Sequence, residues 1–182
     1  IIILLAILCT VGMTAGVFIS IDHDADFIFK RDEEVLLQLA DFRAVDEDKL
    51  HGYPRKKDSI FLFYEEAYQR EDWQDEEDVG EHLRLDYTFI IVKLPMIYDF
   101  VKEELMKEPE YFEDIEEDLE DQSGYRKVDM PAWGAEEVYQ YFDYDGEAEN
   151  EFVVCYPDRM IQIDFSWEIT YEDITKVKDT IW

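Results

Sequence analysis

From Ile1 to Ile21 the chain carries no charged side chain, and its only polar ones besides Cys9 are Thr10, Thr14 and Ser20. Beyond that run the apolar positions break into short groups whose spacing switches between helical and alternating. Val35, Leu36, Leu39 and Phe42 share one side of a helix over 33–42, with Asp32 as N-cap. The next stretch, AVDEDKLHGYPRKKDS, contains Gly52 and Pro54 and reads as loop. Ile60 to Tyr64 is a five-residue apolar run. It suits a buried strand or the start of a helix reaching Tyr68; periodicity does not separate them, and strand is preferred. Residues 65–82 read as an acidic connection.

Leu85, Tyr87, Phe89 and Ile91 then alternate with Asp86, Thr88, Ile90 and Val92, which predicts a strand ended by Pro95. Pro95 also suits the first turn of a helix, where its missing N–H is not needed. Ile97, Val101 and Leu105, with Phe100 beside them, give that helix its stripe, running to Lys107. Pro109 opens a second helix with Phe112, Ile115 and Leu119 inward, stopped by Gln122-Ser123-Gly124. Three strands follow: 138–144, 152–156 (apolar on both faces, hence central in a sheet) and an alternating run from Ile161 to Trp167. Asp145-Gly146 and Tyr156-Pro157-Asp158-Arg159 supply the turns. Thr170 with Asp173 resembles a capping box, and Ile174, Val177 and Ile181 line a terminal helix. The expected fold is α+β: an N-terminal transmembrane helix, then one small domain whose antiparallel sheet, including a C-terminal three-stranded meander, is packed by helices. The divisions are 1–21 as signal-anchor helix, 22–59 as juxtamembrane helix and loop, and 60–182 as acidic domain.

The first run changes the picture most. As a helix, 21 residues reach roughly 31 Å, the thickness of a hydrocarbon core. Lipid suits a helix that satisfies its own backbone groups. A signal peptide cleaved near Thr14-Ala15-Gly16 is the rival, leaving a secreted domain. The chain begins with Ile, so an upstream start carrying the basic residues that set orientation is expected. Asp22, Asp24 and Asp26 say little about orientation, and Lys30 and Arg31 slightly favour the opposite one. The anchor layout still puts the domain outside the cytoplasm.

Charge narrows the function classes. Asp and Glu number 47 against 17 Lys and Arg, a formal net charge of −30. That excludes a nucleic-acid phosphate binder and argues against docking on anionic lipid heads. Hydrophobic residues at 47% and aromatics at 15% still supply a core. The two cysteines, Cys9 in the apolar run and Cys155 in FVVCY, cannot pair within the chain, and Cys155 reads as a buried, inert thiol.

Candidate chemistry is sparse. His23, His51 and His82 form no zinc pattern and read as surface histidines. Ser20, Ser59, Ser123 and Ser166 include no nucleophile elbow, and seven scattered glycines build no phosphate loop, so no nucleotide is expected. Asp143, Asp145, Gly146, Glu147 and Glu149 most resemble a cation loop. Aligning Gly146 with the loop glycine puts Tyr141 and Phe152 where acids belong, so a hairpin turn is expected and no metal or cofactor is assigned. Two runs, 108–121 with nine acids and 65–78 with eight, read as solvated faces or as a surface for a basic partner. Trp73 and Trp133 are core residues or aromatic anchors of that contact. No catalytic residue is singled out.

The sequence therefore points to a membrane-anchored, extracytoplasmic, non-enzymatic binding domain engaging a basic peptide or protein, with the bilayer contacted through residues 1–21. The alternative is a membrane-anchored hydrolase using paired carboxylates or a divalent cation. A cleft of converging carboxylates with shifted proton affinity favours the hydrolase; a dispersed acidic surface favours binding. A third reading makes the acidity an adaptation to high salt.

Overall fold

The structure, a computed structural model, describes residues 27–28, 35–71, 83–107 and 123–182. They form an antiparallel sheet of seven strands, extended at one edge by a two-residue eighth. In chain order the strands are β1 (Phe27–Ile28), β2 (Leu50–Asp58), β3 (Leu62–Glu71), β4 (Arg84–Val92), β5 (Gly124–Lys127), β6 (Glu137–Phe142), β7 (Ala148–Cys155) and β8 (Arg159–Phe165). Their order across the sheet is β1-β2-β3-β4-β8-β7-β6-β5. Two meanders, β1 to β4 and β5 to β8, thus meet along β4 and β8. The helices are α1 (Leu39–Phe42), α2 (Tyr98–Leu105) and α3 (Tyr171–Ile181).

Period-2 alternation sends successive side chains to opposite faces, and the two faces are covered differently. On the first, Leu85, Tyr87, Phe89, Phe152, Ile161, Ile163 and Phe165 pack against Ile174, Val177 and Ile181 of α3 and against Leu37, Leu39 and Phe42. On the second, Leu62, Ile90, Val92, Val153, Cys155 and Met160 pack under Ile97 and Val101. Helix α2 is tied down there by Lys102, which donates to Glu137 at 2.9 Å, and by the Tyr98 hydroxyl, which donates to the Tyr156 carbonyl at 2.5 Å. It covers only the end of that face where β4 finishes.

Several elements stand where the pattern puts them. Pro95–Ile97 is a 3-10 turn leading into α2, β4 and β8 overlap the two alternating runs, and β6 and β7 overlap the strands expected over 138–144 and 152–156. The capping box is formed: the Asp173 N–H donates to the Thr170 hydroxyl, and the Thr170 N–H to the Asp173 carboxylate. Arg43 grips the same carboxylate with two nitrogens, at 2.9 and 3.1 Å, while its guanidinium lies 4.4 Å from the Trp167 ring centre.

Other expectations need correction. The C-terminal meander has four strands, since Gly124–Lys127 pairs with β6, and it is half of a larger sheet. Residues 50–58, read as loop, are β2. Gly52 is required there by close approach, because a Cβ would meet the Tyr68 carbonyl at 2.1 Å. Pro54 is tolerated because β2 lies beside the sheet edge, where a missing donor costs least. Strand β3 runs through Glu71, into the stretch read as acidic connection. The described part of the expected 33–42 helix is helical only over Leu39–Phe42, because residues 35–38 form a non-helical strap held by β3 side chains. Leu36 donates to Glu65 at 2.7 Å, Leu39 donates to Gln69 at 2.8 Å, and Gln69 donates to the Leu37 carbonyl at 2.8 Å. Glu65 and Gln69 are buried, with Glu65 completed by the Tyr87 hydroxyl at 2.5 Å and by Lys56 at 3.2 Å. Residues 1–21 and the helix expected over 109–122 lie outside the described residues; among the described ones no helix is long and apolar enough to cross a membrane.

Candidate functional site

At the end of the second face away from α2, strand register builds one continuous row. Tyr53 on β2 is opposite Tyr68 on β3, and Tyr68 is opposite Asp86 on β4. Asp86 is opposite Asp164 on β8, and Asp164 is opposite Glu151 on β7. Alternation points all five the same way. The tyrosines stack with ring centres 5.5 Å apart and planes 12° apart. Together with Glu66, Thr88 and Gln162 the row lines a shallow pocket of about 220 Å³, and all of its lining comes from strands.

The three carboxylates differ in their partners. Asp164 is held at short range by Arg84. Glu151 accepts a short hydrogen bond from the Tyr125 hydroxyl and another from Gln162 at 2.9 Å. Asp86 has the edge of the same guanidinium, at 3.4 Å, and the Gln69 backbone N–H as its partners, and its Oδ1 is closed off from solvent yet accepts no hydrogen bond among the described residues. Like charges directly opposite on neighbouring strands repel. Burial, reinforced by Asp164 and Glu151 and only partly offset by Arg84 and the Gln69 backbone N–H, pushes the Asp86 carboxyl up to about 7. Burial also raises Asp164, against the pull of Arg84 and with Glu151 adding to the rise. At neutral pH this row therefore holds a partly protonated acid beside acids with fixed partners. Among the described residues no group of three or more His, Cys, Asp or Glu side chains is arranged to hold a metal ion.

The residues singled out by sequence go elsewhere. Asp143 closes the β6–β7 turn, its carboxylate accepting the Glu147 N–H at 2.8 Å, with Gly146 at φ 77°. Trp133 is fully buried against Phe152, so it is core and not an anchor. Cys155 is buried beneath α2, and burial pushes its thiol up to about 11, away from reactivity. His51 lies on β2 opposite Arg70. Ser59 shapes the β2–β3 turn, and Ser166 accepts the Arg84 N–H at 2.8 Å. Cys9, Ser20, His23, His82, Trp73, residues 72–78 of one acidic run and all of the other, 108–121, lie outside the described residues.

Sequence reasoning missed the site itself. Asp86 and Asp164 occupy wet-face positions of two strands that were read correctly, but nothing local says that those strands are neighbours in that register. The available signal was an acid at the polar position of each strand. Comparison with protein-family models, with characterised proteins and with solved structures finds no match for this chain.

Proposed function

We propose that this chain is a membrane-anchored, extracytoplasmic, non-enzymatic binding domain that engages a basic peptide or protein through the open end of its second sheet face. The observation that carries the reading is the Asp86 carboxylate, a third exposed in the pocket and no nearer than 3.4 Å to Arg84, beside the stacked Tyr53 and Tyr68 rings. A lysine or arginine side chain suits that combination, with a charge-assisted hydrogen bond to the acid and its cation against an aromatic ring. Arg55 and Arg70 of the chain itself lie 5.3 and 5.9 Å from those two ring centres, so the rings already favour cations. At about 220 Å³ the pocket accommodates the end of one side chain and not a drug-sized ligand, whose sites run from about 300 Å³ upward. The net charge of −30 would speed the approach of a cationic partner.

Full-length protein titrated with a synthetic oligolysine peptide should bind it in a salt-dependent manner, and an oligoglutamine peptide should not bind. Equal binding of both, or of neither, would dismiss the reading. Anchoring through residues 1–21 rests on their apolar length, with secretion after cleavage as its rival. An intact, uncleaved chain recovered in the soluble fraction after a high-salt wash would rule the anchor out.

The hydrolase is the second reading, favoured by the raised proton affinity of Asp86 beside two further acids. It is the weaker one because the partner carboxylates are occupied: Asp164 by Arg84, and Glu151 by Tyr125 and Gln162. A second acid free to act as nucleophile or base is what that chemistry requires.

A further inference from the structure

We propose, resting on the cation-binding reading above, that the pocket is gated by a proton: when empty it holds a proton on Asp86, and a partner's lysine or arginine side chain displaces that proton to solvent. The exchange balances as a carboxylic acid plus a bound cation giving a carboxylate–cation pair plus a released proton. Geometry supplies the reason. Asp86 faces Asp164, and Asp164 faces Glu151, so three acids cross neighbouring strands while one guanidinium, Arg84, is shared between the first two.

The surroundings of Asp86 set the balance. On its own strand stands Arg84, whose short contact goes to Asp164. From β8 comes Asp164, and from β7 come Glu151 and, farther along, Glu149, which also bears on Asp164. On β3, Tyr68 is opposite Asp86, with Glu66 and Arg70 on either side along the same face. Beyond β3 stand Tyr53, Arg55 and His51 on β2. From β5 the Tyr125 hydroxyl is committed to Glu151. Glu66 accepts from Tyr64 at 2.7 Å, and Arg55 and Arg70 lie over the tyrosine rings. With acids outnumbering the cations that reach it, Asp86 is the group with the least compensation and the one that takes up the proton. A bound ammonium or guanidinium supplies the missing compensation and makes the proton unnecessary.

Two measurements test this. The first follows the Asp86 carboxyl carbon by NMR in the free full-length protein against pH. A midpoint near neutrality is expected, and one in the ordinary carboxylate range overturns the proposal. The second titrates oligolysine by calorimetry at about pH 5.5 and about pH 8.5, at fixed ionic strength and in buffers of different ionisation enthalpy. Affinity should be at least about tenfold higher at the upper pH, with close to one proton released per peptide bound at the lower pH. Asp86→Asn should bind more weakly at the upper pH, lose the pH dependence and release no proton. Asp145→Asn, which removes one charge from the distant β6–β7 turn, should keep both effects. Oligolysine binding that ignores pH and releases no proton would overturn the gate while leaving the binding reading intact. A pH dependence that survives Asp86→Asn overturns the gate in the same way. Absence of oligolysine binding at both pH values would overturn both.

Discussion

Asp86 sits opposite Asp164 with a third of its side chain, 32%, still exposed, and this sets how much its titration matters to folding. Its carboxyl goes from an ordinary value of 3.8 to about 7 on folding. Between those values the folded chain keeps a proton that the unfolded chain has lost. Stability must therefore fall as pH rises through that window, and the full penalty is present above about pH 7. Asp86→Asn removes the penalty. It should stabilise the protein by about 1–2 kcal/mol near pH 8, a figure reduced for the solvent that still reaches the group, and change little near pH 4. Melting curves at the two pH values would expose an error if the gain were equal at both or missing at both. Asp173 is the opposite case. Burial disfavours its ionised form, but Arg43 and Thr170 outweigh burial and hold the carboxyl below its usual value. Its contribution is therefore present at neutral pH and is lost in acid. The sequence made the Thr170–Asp173 pair legible because a capping box is local; Arg43 joins it from another part of the chain, which only the fold reveals.

At the scale of elements, what could be read depended on where each stood in the sheet. Strands β4, β7 and β8 lie inside it, and burial against both cores forced clear patterns on them. Strand β2 stands beside the edge, so its Gly52, Pro54 and basic run meet no such demand. Its charges are matched across the ladder instead, Arg55 opposite Glu66 and Lys56 opposite Glu65. Reading those acids as solvated missed that Glu65 is buried to satisfy the strap at Leu36, a partner 29 residues away. Strand β5 is four residues long with two of them exposed, too little for a pattern. Helix α3 was legible throughout, and Ile174, at 5% exposure, is buried as its spacing predicts. Ile174→Asp should cost about 3–5 kcal/mol, combining a lost apolar contact with a buried charge. Urea unfolding would measure it, and a change within about 0.5 kcal/mol would place that face in solvent.

For the whole molecule the governing quantity is charge. A net charge of −30 brought into one fold must repel itself, and a Debye length of roughly 8 Å at about 0.15 M salt means that added salt relieves much of that repulsion. The melting temperature should climb gradually with NaCl, and CaCl₂ at matched ionic strength should follow the same unsaturating curve. A flat or falling NaCl response would mean that the described ion pairs already balance the field. A steep CaCl₂ effect saturating at low concentration would reveal a cation site and favour the hydrolase.

The meeting of the two meanders along β4 and β8 also has a kinetic side. Each meander pairs strands consecutive in the chain, whereas the β4–β8 contact joins segments remote in the chain and carries the largest loop-closure entropy. Docking of the halves is thus the late event of folding, and the pocket, with Asp86 on one half and Asp164 and Glu151 on the other, does not exist before it. The row of Asp86, Asp164 and Glu151 sets like charges opposite one another, and these are the groups that push the halves apart while they assemble. A proton on Asp86 would ease that assembly by removing one of the opposed charges. A chain folding at mildly acidic pH would close this joint faster than the same chain in alkali.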